Sequence, residues 1–304
     1  MATVTEGTHK LPDGFEVYTK TWKSSPETAR LLFLHGFSDH SNNYDDLFPY
    51  LQSRGITIHA FDQRGWGRSV PSPSHRGLTG PTPQVMSDIT SLLQPLLSSS
   101  DTTPVFLMGH SMGGAESLFY TSTDPSKLIS QVRGTIALAP LIALHPSTRP
   151  NAMTVFMGRL AGRFLPSRKL VNKLDPSFLS RDESKNQEWV ADELNHDTGT
   201  LEGLAGMLDR GALLERGEVM LGSGKHDGGK SRVLVVHGSG DRINAVEGSR
   251  DWVERCGAED KRFWELDGWY HNLHVEPEKE MFREGVAEWI LERSKGDGQD
   301  QAKL

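Results

Sequence analysis

"PVFLMGHSMGGAESL", residues 104–118, is the stretch on which the reading of this chain turns. The apolar run from Pro104 to Met108 has the length of a buried strand, and the residues after Gly113 can form a helix. Between them, Gly109 and Gly113 flank Ser111 in the spacing G-x-S-x-G. A strand, a sharp turn and a helix in that order hold a serine hydroxyl above a sheet, and the two glycines let strand and helix approach closely. In a chain with 31 glycines the motif alone is weak, so its weight rests on partners elsewhere.

A serine hydroxyl is a poor nucleophile at neutral pH; it needs an adjacent base, and a third group to fix the tautomer of that base. On a strand–turn–helix elbow these follow in the order serine, acid, histidine, each in a loop after a later strand. "RVLVVHGSGDRI" supplies Asp241 beyond one apolar run, and "RFWELDGWYHNLH" supplies His271 beyond the next. Asp260 and Asp267 compete as the acid, but Asp260 precedes its strand and Asp267 lies very near the histidine. His274 competes as the base from one helical turn away; His271 is preferred because it lies nearer the strand end. The oxygen that turns negative needs donors, and the backbone N–H groups of Met112 and of Phe37, in "LLFLHGFSDH", are placed to supply them. His35 and His110 read as supports for these turns.

Around this centre, apolar runs bounded by Gly, Asp or Pro recur: "EVYTKTW", "RLLFLHG", "ITIHAFD", "GTIALAP", "RVLVVHG" and "RFWEL". Several are apolar almost throughout, as strands of a parallel sheet covered on both faces are. Helical patterns such as "QVMSDITSLLQPLL" and "EGSRDWVERCG" alternate with them, which predicts a doubly wound α/β architecture. The alternation breaks between His145 and Lys230, too long a stretch for a strand-to-helix connection. It reads as a helical insertion closed by "GSGKHDGGK". The expected organisation is a core over residues 1–144 and 231–293, a helical cap over 145–230, and a polar, disordered tail over 294–304.

The 304 residues carry a formal net charge of −7 and no basic tail, which argues against a nucleic-acid partner. No run is long enough to span a bilayer, the N-terminus lacks the pattern of a secretory signal, and the single Cys256 reads as a packed side chain. "HAFDQRGWGRS" lacks a full phosphate-binding motif, so Asp62, Arg64, Gly65 and Gly67 are expected to shape a turn. His271 and His274 come without a clustered ligand set, so neither metal nor cofactor is assigned.

Taken together, "HG" before Phe37, "FDQRGWGRS", "GHSMGG", "HGSGDRI" and "GWYHNLH" resemble the α/β-hydrolase fold serine hydrolases. "PVFLMGHSMGGAESL", "ALAPLI", "DPSFLSRDE" and "NHDTGT" are similar to the monoacylglycerol lipases among them. The resemblance implies an α/β-hydrolase fold with a mostly parallel central sheet, a triad of Ser111, Asp241 and His271, and an oxyanion hole at Phe37 and Met112. It also implies a cap whose apolar residues, Met153, Phe156 and Leu160 among them, accept an acyl chain. Asp39 and Asn43 stand where relatives carry a glutamate and an arginine near the glycerol, and His274 is expected at the exit for glycerol.

The expected activity is cleavage of a monoacylglycerol to fatty acid and glycerol without a cofactor. A lysophospholipase or broad carboxylesterase shares the same chemistry, and a non-catalytic binding protein shares the same fold. The stripe Met153, Phe156, Met157, Leu160 and Phe164, with Arg159 and Arg163 off it, is the pattern of a helix that rests in a lipid interface, or of one packed on a core. A cytoplasmic protein with peripheral attachment to membranes or lipid droplets is the corresponding expectation.

Overall fold

The computed structural model describes residues 2–97, 102–149 and 151–295, leaving the expected disordered tail outside the described residues beyond Lys295. In chain order the strands are β1 (Thr3–Lys10), β2 (Glu16–Lys23), β3 (Ala29–Leu34), β4 (Ile56–Phe61), β5 (Val105–His110), β6 (Gly134–Leu138), β7 (Lys169–Val171), β8 (Thr198–Thr200), β9 (Arg232–Gly238) and β10 (Asp260–Leu266). The α-helices are α1 (Phe48–Ser53), α2 (Thr82–Leu97), α3 (Met112–Thr123), α4 (Ala152–Phe164), α5 (Glu183–Ala191), α6 (Leu201–Glu215), α7 (Val246–Arg255) and α8 (Lys279–Ser294).

Eight strands form one sheet in the order β1-β2-β4-β3-β5-β6-β9-β10. β1 and β2 pair antiparallel, as do β2 and β4, and every later pairing is parallel. The central strands β5, β6 and β9 are buried along their whole length, which is why their sequences are apolar without alternation. Successive residues serve opposite faces: Leu31, Phe33, Phe106 and Met108 pack with residues of α1 and α8, while Leu32, Leu34 and Leu107 pack with residues of α2.

The parallel strands deliver their loops to one end of the sheet, where β3, β5, β9 and β10 lead into Phe37, Ser111, Asp241 and His271. Between β6 and β9 the chain makes α4, β7, α5, β8 and α6, with β7 and β8 paired antiparallel around α5. Helix α4 packs on α6, and the buried pair Arg210–Glu116, 2.8 Å, ties α6 to α3 directly behind the elbow.

Three elements carried little sequence signal. β1 is exposed along almost its whole length and so has no apolar pattern. α5 buries only Asn186. α8 does bury a face, of Phe282, Val286, Ala287, Trp289 and Ile290, within an otherwise charged segment.

Candidate active site

Ser111 sits at φ 55°, ψ −115°, a conformation rare for a residue with a side chain. Such strain costs about 1–3 kcal/mol and persists only where the surroundings enforce it. Here Ser111 donates its N–H to the Leu138 carbonyl (2.9 Å), and its own carbonyl accepts from Leu141 (2.9 Å) and Ala115 (3.0 Å). Both motif glycines are required by contact. A Cβ on Gly109 would stand 2.1 Å from the Gly113 carbonyl oxygen, and one on Gly113 would stand 2.2 Å from that of Leu34. The strand therefore enters, and the helix leaves, at a separation that excludes any side chain.

The loop after β9 presents Asp241 and the loop after β10 presents His271, whose Nδ1 donates to Asp241 Oδ2 over 2.7 Å. Asp241 is buried, and its other oxygen accepts the N–H groups of Ile243 (2.8 Å) and Asn244 (3.0 Å). Burial opposes its ionisation, but the neighbouring His271 and His237 outweigh it and hold the carboxyl well below the usual range. Burial also lowers the His271 pKa, with His110 and His237 adding to the effect against the attraction of Asp241. With Nδ1–H committed to Asp241, a neutral His271 keeps Nε2 as its proton acceptor.

Ser111, His271, Phe37 and Asp39 line one cleft. Met112 opens α3, so its N–H has no partner within the helix, and among the described residues neither it nor the Phe37 N–H has an acceptor. Two backbone donors thus remain available beside the serine, at the positive end of a helix.

Asp39 is held internally. It accepts from Tyr44 Oη (2.5 Å), Asn43 Nδ2 (2.6 Å), His40 N (2.8 Å) and Gly36 N (3.2 Å). Burial raises its pKa, yet His110, His35 and Tyr44 together bring it well below the ordinary range. Tyr44 Oη also lies 2.9 Å from His110 Nδ1, and His110 Nε2 lies 3.2 Å from the His271 carbonyl. His110 therefore braces the histidine loop. His35 Nε2 accepts from Gln63 N over 2.8 Å, and Asp62 accepts from Ser41 and Arg68, so both serve turns.

The cleft shares Leu144, Asn172, Leu174, Met207 and Ile243 with a chamber of about 580 Å³ under the segment from Ser147 to Leu208. Leu170, Phe178, Leu204 and Leu208 give the chamber much of its apolar lining.

The structure does not bring every expected residue to this site. Met153 and Leu160 stand exposed and are not among the residues lining the chamber; Thr154, Gly158 and Arg159 are the α4 residues that do. The physical reason is steric. The small side of α4 turns toward α6, where Gly162 approaches Leu201 so that a Cβ would sit 3.4 Å away, and the bulky stripe is left outside. The Phe156 side chain lies outside the described residues. His274 lines a polar groove with Asn42, Asp46 and Lys185, which shares Trp189 and Asn272 with the cleft, and it stacks on Tyr44 at 4.3 Å. Burial depresses its pKa to about 3. Among the described residues, no group of three His, Cys, Asp or Glu could hold a metal ion.

His237 was missed by sequence reasoning: its Nε2 lies 3.1 Å from Asp241 Oδ2. Its place four residues before Asp241, at the end of β9, was the available signal. Cys256, by contrast, is the packed side chain expected, 3 % exposed with its Sγ on the Val253 carbonyl.

A strained serine on a strand–helix elbow, over a mostly parallel sheet with a buried His–Asp pair, defines a serine hydrolase of the α/β-hydrolase fold. More narrowly, the chain belongs to the family described as serine aminopeptidase, S33, whose pattern matches residues 25–278. A Schizosaccharomyces pombe protein named "Putative monoglyceride lipase" is 33% identical over 288 residues, covering 92% of this chain and 72% of that one. The monoglyceride lipase of Saccharomyces cerevisiae is 29% identical over 248 residues, 81% of this chain and 78% of its own. A crystal structure of a soluble variant of that yeast enzyme with a substrate analog shares the fold, with a TM-score of 0.85, 24% identity and 94% of each chain covered. The Paleococcus ferrophilus monoacylglycerol lipase structure has a TM-score of 0.78 at 29% identity, over 91% of this chain and 99% of that one.

Proposed function

We propose that this protein hydrolyses monoacylglycerol to a fatty acid and glycerol through an acyl-enzyme on Ser111. The observation that carries the reading is the elbow serine and the His271–Asp241 pair on one cleft that continues into the chamber. The names of the relatives supply the substrate class. His271 Nε2 takes the Ser111 proton as the hydroxyl attacks the ester carbonyl, and Asp241 stabilises the resulting imidazolium. The Phe37 and Met112 N–H groups receive the oxyanion. The proton on His271 passes to the glycerol oxygen as it leaves. Water, deprotonated by the same histidine, then releases the fatty acid.

In this reading residues 145–230 form the cap, and the acyl chain occupies the chamber beneath it, whose size is ordinary for a small-molecule site. Asp39 positions the cleft through Gly36 and, by way of Tyr44, His110, and His274 shapes the polar side from behind Tyr44. Among the described residues no helix is long and apolar enough to cross a membrane. The exposed stripe of α4, with Phe164 75 % and Met153 68 % exposed, favours peripheral contact with a membrane or lipid-droplet surface.

Turnover measured on matched mono-, di- and triacylglycerols and lysophospholipids tests the substrate class, and preference for another class would overturn it. Ser111→Ala should fold yet neither turn over ester nor react with a fluorophosphonate probe. Its kcat should fall by roughly a millionfold. Covalent labelling that persists in this variant would remove Ser111 from the role.

A further inference from the structure

We infer that the outer face of residues 145–174 is built for an anionic lipid bilayer and selects it over a neutral one. The inference rests on the reading that α4 meets a lipid surface, and it adds the chemistry of that surface. Although the chain as a whole is acidic, no Asp or Glu occurs from Pro125 to Leu174. Residues 145–174 hold six Lys and Arg: Arg149, Arg159, Arg163, Arg168, Lys169 and Lys173. The rest of the insertion, 175–230, reverses the balance with 12 acidic and six basic residues. Positive charge is therefore concentrated on the piece that carries most of the exposed large apolar side chains among the described residues.

Some of these cations are already engaged. Arg159 pairs with Asp209, Arg149 with Glu215 (3.4 Å), and Lys169 Nζ donates to the Pro73 carbonyl (2.7 Å). Arg163 and Arg168 are exposed and have no carboxylate partner among the described residues. They bracket Phe164 and Leu165, which are 75 % and 59 % exposed, and Leu170 and Val171 follow, also exposed. On α4, Arg163 falls on the flank of the stripe formed by Met153, Met157, Leu160 and Phe164, where it reaches the headgroup level when the stripe is immersed. Apolar side chains seated below a rim of unpaired cations complement a layer of acyl chains under anionic headgroups. Each basic residue held at such a surface strengthens binding roughly fivefold, an effect that falls off within a Debye length.

The experiment is sedimentation of the full chain with phosphatidylcholine vesicles, with and without phosphatidylserine, at low and high salt. Binding should be at least about tenfold tighter to the serine-containing vesicles, and the preference should vanish at high salt. Arg163→Gln with Arg168→Gln should lower that preference on the order of tenfold while leaving hydrolysis of a short soluble ester unchanged. Met157→Ser with Phe164→Ser should weaken binding to both kinds of vesicle. Equal binding to the two kinds, or full preference in the double Arg variant, would overturn the inference and leave lipid docking standing. Failure to bind either kind would overturn the docking reading itself.

Discussion

His237 Nε2 stands 3.1 Å from Asp241 Oδ2, the same oxygen that His271 Nδ1 reaches at 2.7 Å. Because an ionised carboxylate only accepts, both histidines donate to it. The other ring nitrogen of His237, Nδ1, lies 2.7 Å from Ser249 Oγ, which holds the ring in place. His237 is thus a positioning residue: it fixes the carboxylate that fixes His271. His237→Ala should lower kcat about tenfold with KM little changed, and should cost about 1.5–3 kcal/mol of stability, as loss of a hydrogen bond to a charged group does. His237→Asn, which keeps a donor, should restore part of kcat. Steady-state kinetics beside urea unfolding would show this, and an unchanged kcat in the alanine variant would reduce His237 to packing.

The pH profile follows from the burial of His271. Its pKa is held below the ordinary 6.5, and only the neutral ring accepts the Ser111 proton. The kcat/KM for a short soluble ester should therefore rise with pH through a midpoint below 6.5 and be level above it. An acidic limb centred above 6.5 would contradict this assignment of the base.

Contact geometry makes the glycines of the elbow unequal to others in the chain. Gly113→Ala places a methyl 2.2 Å from the Leu34 carbonyl, inside the junction of α3 and β3. It should destabilise the protein by at least about 3 kcal/mol and abolish activity. Gly158, in the middle of α4, has nothing within 4 Å of an added Cβ. Gly158→Ala should stabilise by up to about 1 kcal/mol, the helix propensity difference. Thermal unfolding of the two variants should move in opposite directions.

Leu179 and Arg181 are fastened to the loop that carries His271. Glu276 is fully buried, and its Oε1 accepts the N–H groups of Arg181 (3.0 Å) and Tyr270 (3.1 Å), the latter next to His271. Its Oε2 takes Arg181 Nε at 2.5 Å. Asn272 N donates to the Leu179 carbonyl over 2.6 Å. Glu276→Ala should cost about 1.5–3 kcal/mol and lower kcat more than it raises KM, because the Tyr270 N–H loses its acceptor and the histidine loop slackens. Kinetics that change only in KM would assign the residue to substrate access.

The elbow, the order of Ser111, Asp241 and His271, and the buried strands around them were legible because each leaves a local mark: two glycines at fixed spacing, apolar runs, polar loops at their ends. Residues that act through distant partners left none. Nothing near Glu276 in sequence announces that Arg181 will cover it, 95 positions away. The periodicity of α4 correctly gave a helix with an apolar stripe. It could not say which side would meet α6, and Met153 and Leu160, expected beside an acyl chain, stand exposed for that reason. Period and pattern are properties of the chain, so the sequence by itself determined most of the elements, their order and the residue types at the loop ends. Which face of a helix is buried depends on how closely two backbones can approach. Only the tertiary structure decided that, by packing Gly162 against Leu201 and leaving Phe164 outside.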